Sequence, residues 1–212
     1  MDTASHPADL LRVSGLERRF GTRVVFRDVE FSLQEGDRLI LRGPNGSGKS
    51  SMLRCIAGVL EPTRGSVTIA GLRAGTVAAR ERVGAALAQD RSFYLRLSGR
   101  ANLSFFARLR LPSKTAAVTA VRELEEELEL APILDQRMAS CSTGMLQQVA
   151  FARALLGDPS LLLLDEPTRS LDDAAVERFW GALDRRPHCA AIVATHRHED
   201  FAHGGRTLDL GS

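Results

Sequence analysis

Residues 43–50, Gly43-Pro44-Asn45-Gly46-Ser47-Gly48-Lys49-Ser50, constrain this 212-residue chain more than any other stretch. They match the spacing G-x-x-x-x-G-K-[ST]. A short apolar run, Arg38-Leu39-Ile40-Leu41, precedes them and reads as a buried strand. Ser51-Met52-Leu53-Arg54-Cys55-Ile56-Ala57 follows with apolar residues at helical spacing. Glycines at 43, 46 and 48 let the loop curl and turn successive backbone N–H groups inward, where they meet phosphate oxygens. The helix behind the loop adds the positive end of its dipole. Lys49 in such a loop reaches β- and γ-phosphates, and the Ser50 hydroxyl takes one coordination site on Mg²⁺. The stretch predicts a nucleoside triphosphate site.

A second piece of chemistry stands at Leu161-Leu162-Leu163-Leu164-Asp165-Glu166. Four apolar residues followed by two carboxylates describe a central parallel strand that delivers acids to a ligand crevice. Asp165 is placed to orient Mg²⁺, and Glu166 to align or deprotonate a water for in-line attack on the γ-phosphate. Two acids after a strand can also cap the next helix. A phosphate loop in the same chain favours the catalytic reading.

The rest of the chain frames these two sites. Leu10–Val13 with Leu16–Phe20, and Val24–Phe26 with Val29–Leu33, alternate as an antiparallel start; Ser66–Ile69 and Val83–Ala88 are further strands. Residues 92–141 change character. Leu103–Leu111 is helical in spacing, and Ser113 offers an N-cap to a long helix with Ala117, Val121, Leu124 and Leu128 on one stripe. The opposite face carries Glu123, Glu125, Glu126, Glu127 and Glu129, read as a solvated face in preference to an acidic partner surface. From Leu161 the α/β rhythm returns, with strands at Leu161–Leu164, Ala190–Ala194 and Thr207–Leu210. Fold class is therefore α/β, a RecA-like parallel sheet of the P-loop NTPase type, with an antiparallel β-subdomain and an all-helical insert. The expected division is a single domain over 1–212, with 10–91 and 142–212 forming the β-subdomain and core and 92–141 the helical subdomain.

Composition excludes several classes. A formal net charge of +2 gives no electrostatic case for nucleic acid. Three dispersed cysteines, Cys55, Cys141 and Cys189, form neither a disulfide framework nor a metal cluster and suit a reducing compartment. Residues 1–9 lack the layout of a signal peptide, and no run approaches the roughly 18 apolar residues of a membrane span. The expectation is a cytosolic or peripheral protein.

Further motifs in fixed order carry a resemblance. Phe20 lies about two dozen residues before the loop, Gln89 ends an apolar run, and Ser142-Thr143-Gly144 opens an apolar-periodic run through Val149, Phe151 and Leu155. Ser170-Leu171-Asp172 follows the two acids, and Ala194-Thr195-His196 ends a strand. Along nearly its whole length the chain resembles an ATP-binding cassette ATPase, the nucleotide-binding subunit of an ABC transporter. The resemblance implies ATP contacts at Phe20, which would stack on adenine, and at Gly43, Pro44, Asn45, Gly46, Ser47, Gly48, Lys49, Ser50 and Ser51. It implies Mg²⁺ near Ser50, Gln89 and Asp165, and catalysis by Glu166 with Gln89 and the switch residue His196. Ser142, Thr143, Gly144 and Asp172 would act across a head-to-tail dimer that sandwiches two ATP molecules.

The signature departs from the family's usual Leu-Ser-Gly-Gly-Gln. Cys141 and Met145 flank Ser142-Thr143-Gly144, a form that resembles bacterial exporter cassettes, and Arg169 stands where a small residue is commoner. Cys141 at a helix start reads as a packing residue rather than a reactive thiol. Phe93-Tyr94-Leu95, with Phe105-Phe106, falls where the family forms a groove for a coupling helix, and core packing accounts for these rings equally well. The implied function is an ATP-hydrolysing subunit driving separate integral membrane permease subunits, as an exporter, with a second cassette subunit as partner. It would sit on the cytoplasmic face of a bacterial membrane. The alternative is a soluble ATPase of the same type acting on a non-membrane partner such as a cofactor-assembly scaffold.

Overall fold

The central strands of the larger sheet are short and apolar because both of their faces are covered, whereas the edge strand at residues 206–209 is polar and largely exposed. The computed structural model describes residues 9–87 and 93–210. Five parallel strands lie in the order β6-β7-β8-β3-β9: β3 (Arg38–Arg42), β6 (Val83–Ala86), β7 (Leu161–Asp165), β8 (Ala190–Ala194) and β9 (Arg206–Asp209). Side chains alternate across a strand, so β3, β7 and β8 each feed two cores. Leu162 and Leu164 of β7, with Ile40, Ala191 and Val193, join the core under the helices of the second half. Leu161 and Leu163, with Leu39, Leu41 and Ile192, join the core around the first helix and the antiparallel strands. All four β7 leucines are fully buried, each contributing about 1.5–3 kcal/mol of apolar burial.

The second sheet is antiparallel, in the order β2-β1-β4-β5. Its members are β1 (Leu11–Phe20), β2 (Arg23–Leu33), β4 (Arg64–Ile69) and β5 (Leu72–Arg73). The paired runs expected at each end of β1 and β2 are continuous strands, bent by register shifts between Val13 and Arg19. β5 and the short helix α2 (Val77–Glu81) were not foreseen; both are too brief to show a period.

Helix α1 (Lys49–Ile56) follows β3. Between the acids of β7 and the strand β6 come α3 (Gly99–Arg110), α4 (Lys114–Glu127), α5 (Ala131–Leu134) and α6 (Thr143–Leu155); α7 (Asp173–Asp184) precedes β8. Ser98 and Ser113 cap α3 and α4, accepting from the backbone N–H of Ala101 and Ala116. Ala117, Val121, Leu124 and Leu128 are all buried. The acidic face of α4 corrects the sequence reading. Glu125 makes a bidentate pair with Arg100 of α3, Glu127 accepts from Arg185 and Arg186, and Glu129 accepts from Arg178 of α7. The Arg186 guanidinium holds the Glu127 carboxyl below its usual range, and Arg100 does the same for Glu125. These acids tie α4 to its neighbours. The residue types were legible, but the arginines come from elements far along the chain.

The aromatic cluster divides. Phe93 is buried, edge-on to Phe106 and beneath the Arg153 guanidinium at 4.6 Å. Tyr94 and Phe105 are exposed and pack edge to face, 5.0 Å between centroids. Among the described residues no helix is long and apolar enough to cross a membrane.

Candidate functional site

Three neighbouring parallel strands, β7, β8 and β3, end on the same edge of the sheet, and each ends in a residue singled out from the sequence. β3 leads into the loop 43–50, β7 ends at Asp165 with Glu166 directly after it, and β8 runs into Thr195 and His196. A parallel sheet places its carboxyl ends together, so the topology alone gathers these groups. They open on a cleft of about 590 Å³ lined by Phe20, Asn45, Gly46, Gly48, Lys49, Ser50, Ser51, Asp165 and Glu166, together with Arg23, Val25 and Arg169. Gly43 and Pro44 face an adjoining recess that also contains His196.

The loop geometry fits a phosphate ligand. Gly48 takes φ 104° as the N-cap of α1, and a Cβ there would lie 2.5 Å from Val25 Cγ1. Gly43, at φ 152°, approaches Leu210 O so closely that a Cβ would stand 2.2 Å from it. Lys49 is 6% exposed, and its Nζ donates to two carbonyls of its own loop, Gly43 O at 2.6 Å and Pro44 O at 3.2 Å. The Ser47 hydroxyl is buried in the loop with no hydrogen-bond partner among the described residues. A buried ammonium and a waiting donor, at a helix start without acidic residues in its first turn, form an anion site. The oxygen donors that would hold Mg²⁺ here are Ser50 and the buried carboxylate of Asp165, both on the cleft. A hard cation such as Mg²⁺ takes one or two protein oxygens and completes its shell with phosphates and water, which these two oxygen donors fit. Gln89, expected to bind Mg²⁺ and assist catalysis, lies outside the described residues.

Glu166 and His196 are brought together. His196 Nδ1 stands 2.8 Å from Glu166 Oε1. Glu166 has φ 50°, a left-handed backbone that costs a side-chain-bearing residue about 1–2 kcal/mol. Its backbone is held on both sides: its N–H donates to Ala194 O at 2.7 Å, and its carbonyl accepts from Gln147 Nε2 at 2.6 Å. A second brace lies behind the pair. Asp200, buried, accepts from Thr168 Oγ1 at 2.8 Å and Thr195 Oγ1 at 2.7 Å, tying the segments that carry Glu166 and His196. Neither Gln147 nor Asp200 stood out in the sequence: Gln147 reads as an ordinary polar position in a helical stretch, and Asp200 lies in an unassigned segment between two strands.

Phe20 ends β1 half exposed beside the cleft, with the Arg18 guanidinium 4.3 Å from its centroid, so it is not a core residue. Ser142, Thr143 and Gly144 are elsewhere and do not line the cleft. Ser142 caps α6, its hydroxyl accepting from Met145 N–H at 3.2 Å. Ser142 N–H donates in return to Met145 Sδ at 3.4 Å, so the methionine fills the place of the polar partner in a capping box. Asp172 caps α7 by accepting from Ala175 N–H at 2.8 Å. Burial raises the Cys141 thiol, which agrees with packing rather than reactivity.

Known proteins resemble the chain in sequence and in fold. The chain is 36% identical over 192 residues to an uncharacterized ABC transporter ATP-binding protein, YdbJ, of Bacillus subtilis, covering 88% of this chain and 61% of that protein. It is also 36% identical to the maltose/maltodextrin import ATP-binding protein MalK of Yersinia pestis, over 87% of this chain and 51% of MalK. The chain thus spans between half and three-fifths of the length of these curated relatives. Among solved structures, an ATP-binding subunit of an ABC transporter superposes with a TM-score of 0.86 at 26% identity, over 95% of this chain and 85% of that one. The cassette MJ0796, solved as a dimer in a post-hydrolysis state with ADP and Pi, gives 0.85 at 24% identity over 94% of each chain, a likeness of fold. The ABC transporter family profile matches residues 26–169, from the antiparallel sheet through the loop, the helices and the two acids of β7, and the chain belongs to that family.

Proposed function

We propose that this chain is the ATP-hydrolysing, nucleotide-binding subunit of an ABC transporter, driving separate membrane subunits from the cytoplasmic face of a bacterial membrane. The observation that carries the reading is the convergence of Lys49 and Ser50, Asp165 and Glu166, and His196 on one edge of the parallel sheet. The relatives named as transporter ATP-binding proteins support it.

In this reading Gly43–Ser51 cradles the phosphates of ATP and Phe20 stacks on adenine. Lys49 exchanges its two loop carbonyls for β- and γ-phosphate oxygens. Mg²⁺ held by Ser50 and Asp165 would neutralise charge that develops on the transferring phosphoryl group. Glu166 aligns the attacking water and takes its proton. His196 steadies that carboxylate: with Nδ1–H donated to Glu166, a neutral ring offers Nε2 only as an acceptor, so contact with a phosphate oxygen calls for the protonated ring or a rotation away from Glu166. Ser142, Thr143, Gly144 and Asp172 serve a second copy of the chain, whose nucleotide they close over in a head-to-tail dimer. The exposed rings of Tyr94 and Phe105 suit the permease contact. Export rests on the Ser142–Met145 signature alone; import is favoured by the relative MalK and by CysA, a sulfate/thiosulfate import protein of Synechococcus elongatus.

The test is nucleotide titration and phosphate release by the wild type and Lys49→Ala. Loss of the ammonium is expected to weaken ATP binding by about 2–3 kcal/mol and abolish turnover. Wild-type affinity and turnover in the variant would refute the site.

A further inference from the structure

The helix that carries Ser142–Gly144 also grips the segment that carries Glu166. Gly144 and Gln147 are three residues apart on α6 and therefore share one face of the helix. Gly144 lies so close to the chain after β7 that a Cβ would stand 2.2 Å from Ser170 O. Gln147, one turn further on, donates through Nε2 to Glu166 O at 2.6 Å. The same carbonyl meets Arg169 N–H only at 3.3 Å, so the glutamine supplies the shorter bond. The residue so held is a non-glycine at φ 50°, a conformation that persists only where its surroundings impose it. Gln147 Oε1 is buried and has no hydrogen-bond partner among the described residues, so the amide is oriented for its donor end. A helix is stiff over one turn, so a shift at its start moves both contacts together.

We infer that Gln147 is a positioning residue for Glu166: it fixes the left-handed backbone from which the carboxylate projects, and it links the Ser142–Gly144 helix start to the water-activating group of the same chain. The inference rests on the proposed ATPase reading. It gives that reading a physical link between the nucleotide a chain touches on its partner and the nucleotide it hydrolyses itself.

Two substitutions separate this role from a packing role. Gln147→Met keeps the length and removes the donor; Gln147→Glu keeps the shape and can donate only when its carboxyl is protonated. Steady-state hydrolysis of Mg·ATP by the full chain, with ATP titration and thermal unfolding alongside, gives kcat, KM and Kd. Gln147→Met is expected to lower kcat by about tenfold or more, while KM and Kd stay within about twofold. The kcat of Gln147→Glu relative to wild type is expected to rise as the pH falls, when an O–H again faces Glu166 O. If Gln147→Met does not fold, this pH dependence alone decides. A folded Gln147→Met with wild-type kcat, a loss confined to KM and Kd, or a flat Gln147→Glu ratio would overturn the inference. Lys49→Ala run in parallel distinguishes the two levels. Wild-type hydrolysis insensitive to Lys49→Ala overturns the ATPase reading and this inference together, whereas Lys49-dependent hydrolysis indifferent to Gln147 overturns the inference alone.

Discussion

The chain has two helix starts that the proposed mechanism assigns to phosphate, and they differ in completeness. The first, at residues 43–51, is backed by a cleft of about 590 Å³, a buried lysine, two acids and a half-exposed aromatic ring. The second, at Ser142–Gly144, has a capped helix start, an exposed serine and threonine, and no share in that cleft. One is a site within a single chain. The other supplies a few donors and leaves the rest of a ligand's surroundings to something else. In the proposed dimer another copy of the chain would complete the second end: a helix start in solvent gains little from an anion, but gains much when a second surface excludes water around it.

Breaking the second end should leave ATP binding at the first intact, while the linked Gln147 contact would carry part of the disturbance to Glu166 and lower turnover. Gly144→Ala puts a Cβ 2.2 Å from Ser170 O, backbone that cannot swing aside, so α6 must shift. The expected cost is about 1–3 kcal/mol of stability, seen as a lower unfolding midpoint, with dimerisation lost and ATP affinity of the monomer preserved. A fall in monomer affinity would show that the two ends are not separate. Phe20→Ala sharpens the first end. If the ring stacks on adenine, nucleotide binding weakens by about 1–3 kcal/mol, measured by titration, with unfolding little changed because the ring is 50% exposed. Unaltered affinity would assign the ring to its Arg18 contact instead.

How much of this was legible in the sequence follows the range of the interactions. The phosphate loop, the Leu161–Glu166 strand, the Ser113 and Ser142 caps and the α4 stripe all depend on residues within a turn or a strand of one another. Their patterns therefore survive in one dimension. The grip of Gln147 on Glu166 joins residues 19 apart, and Glu127 meets Arg186 at a separation of 59. No local period marks such pairs, and glutamine or glutamate in a helix looks solvated until its partner is known. The aromatic cluster shows the same limit. Composition placed Phe93 and Tyr94 together, and only the packing buries one and exposes the other.

In the proposed mechanism the incomplete end is completed by the complete end of a second chain, with ATP between them. Glu166→Gln removes the carboxylate charge and keeps the side chain's shape, so ATP binds while water attack slows. Sedimentation of this variant with and without ATP tests the claim most directly. The expected result is a monomer without nucleotide, a dimer with ATP, and loss of that dimer on adding Ser142→Arg, with ATP still bound by each monomer. A dimer that forms without ATP, or one that tolerates Ser142→Arg, would contradict it.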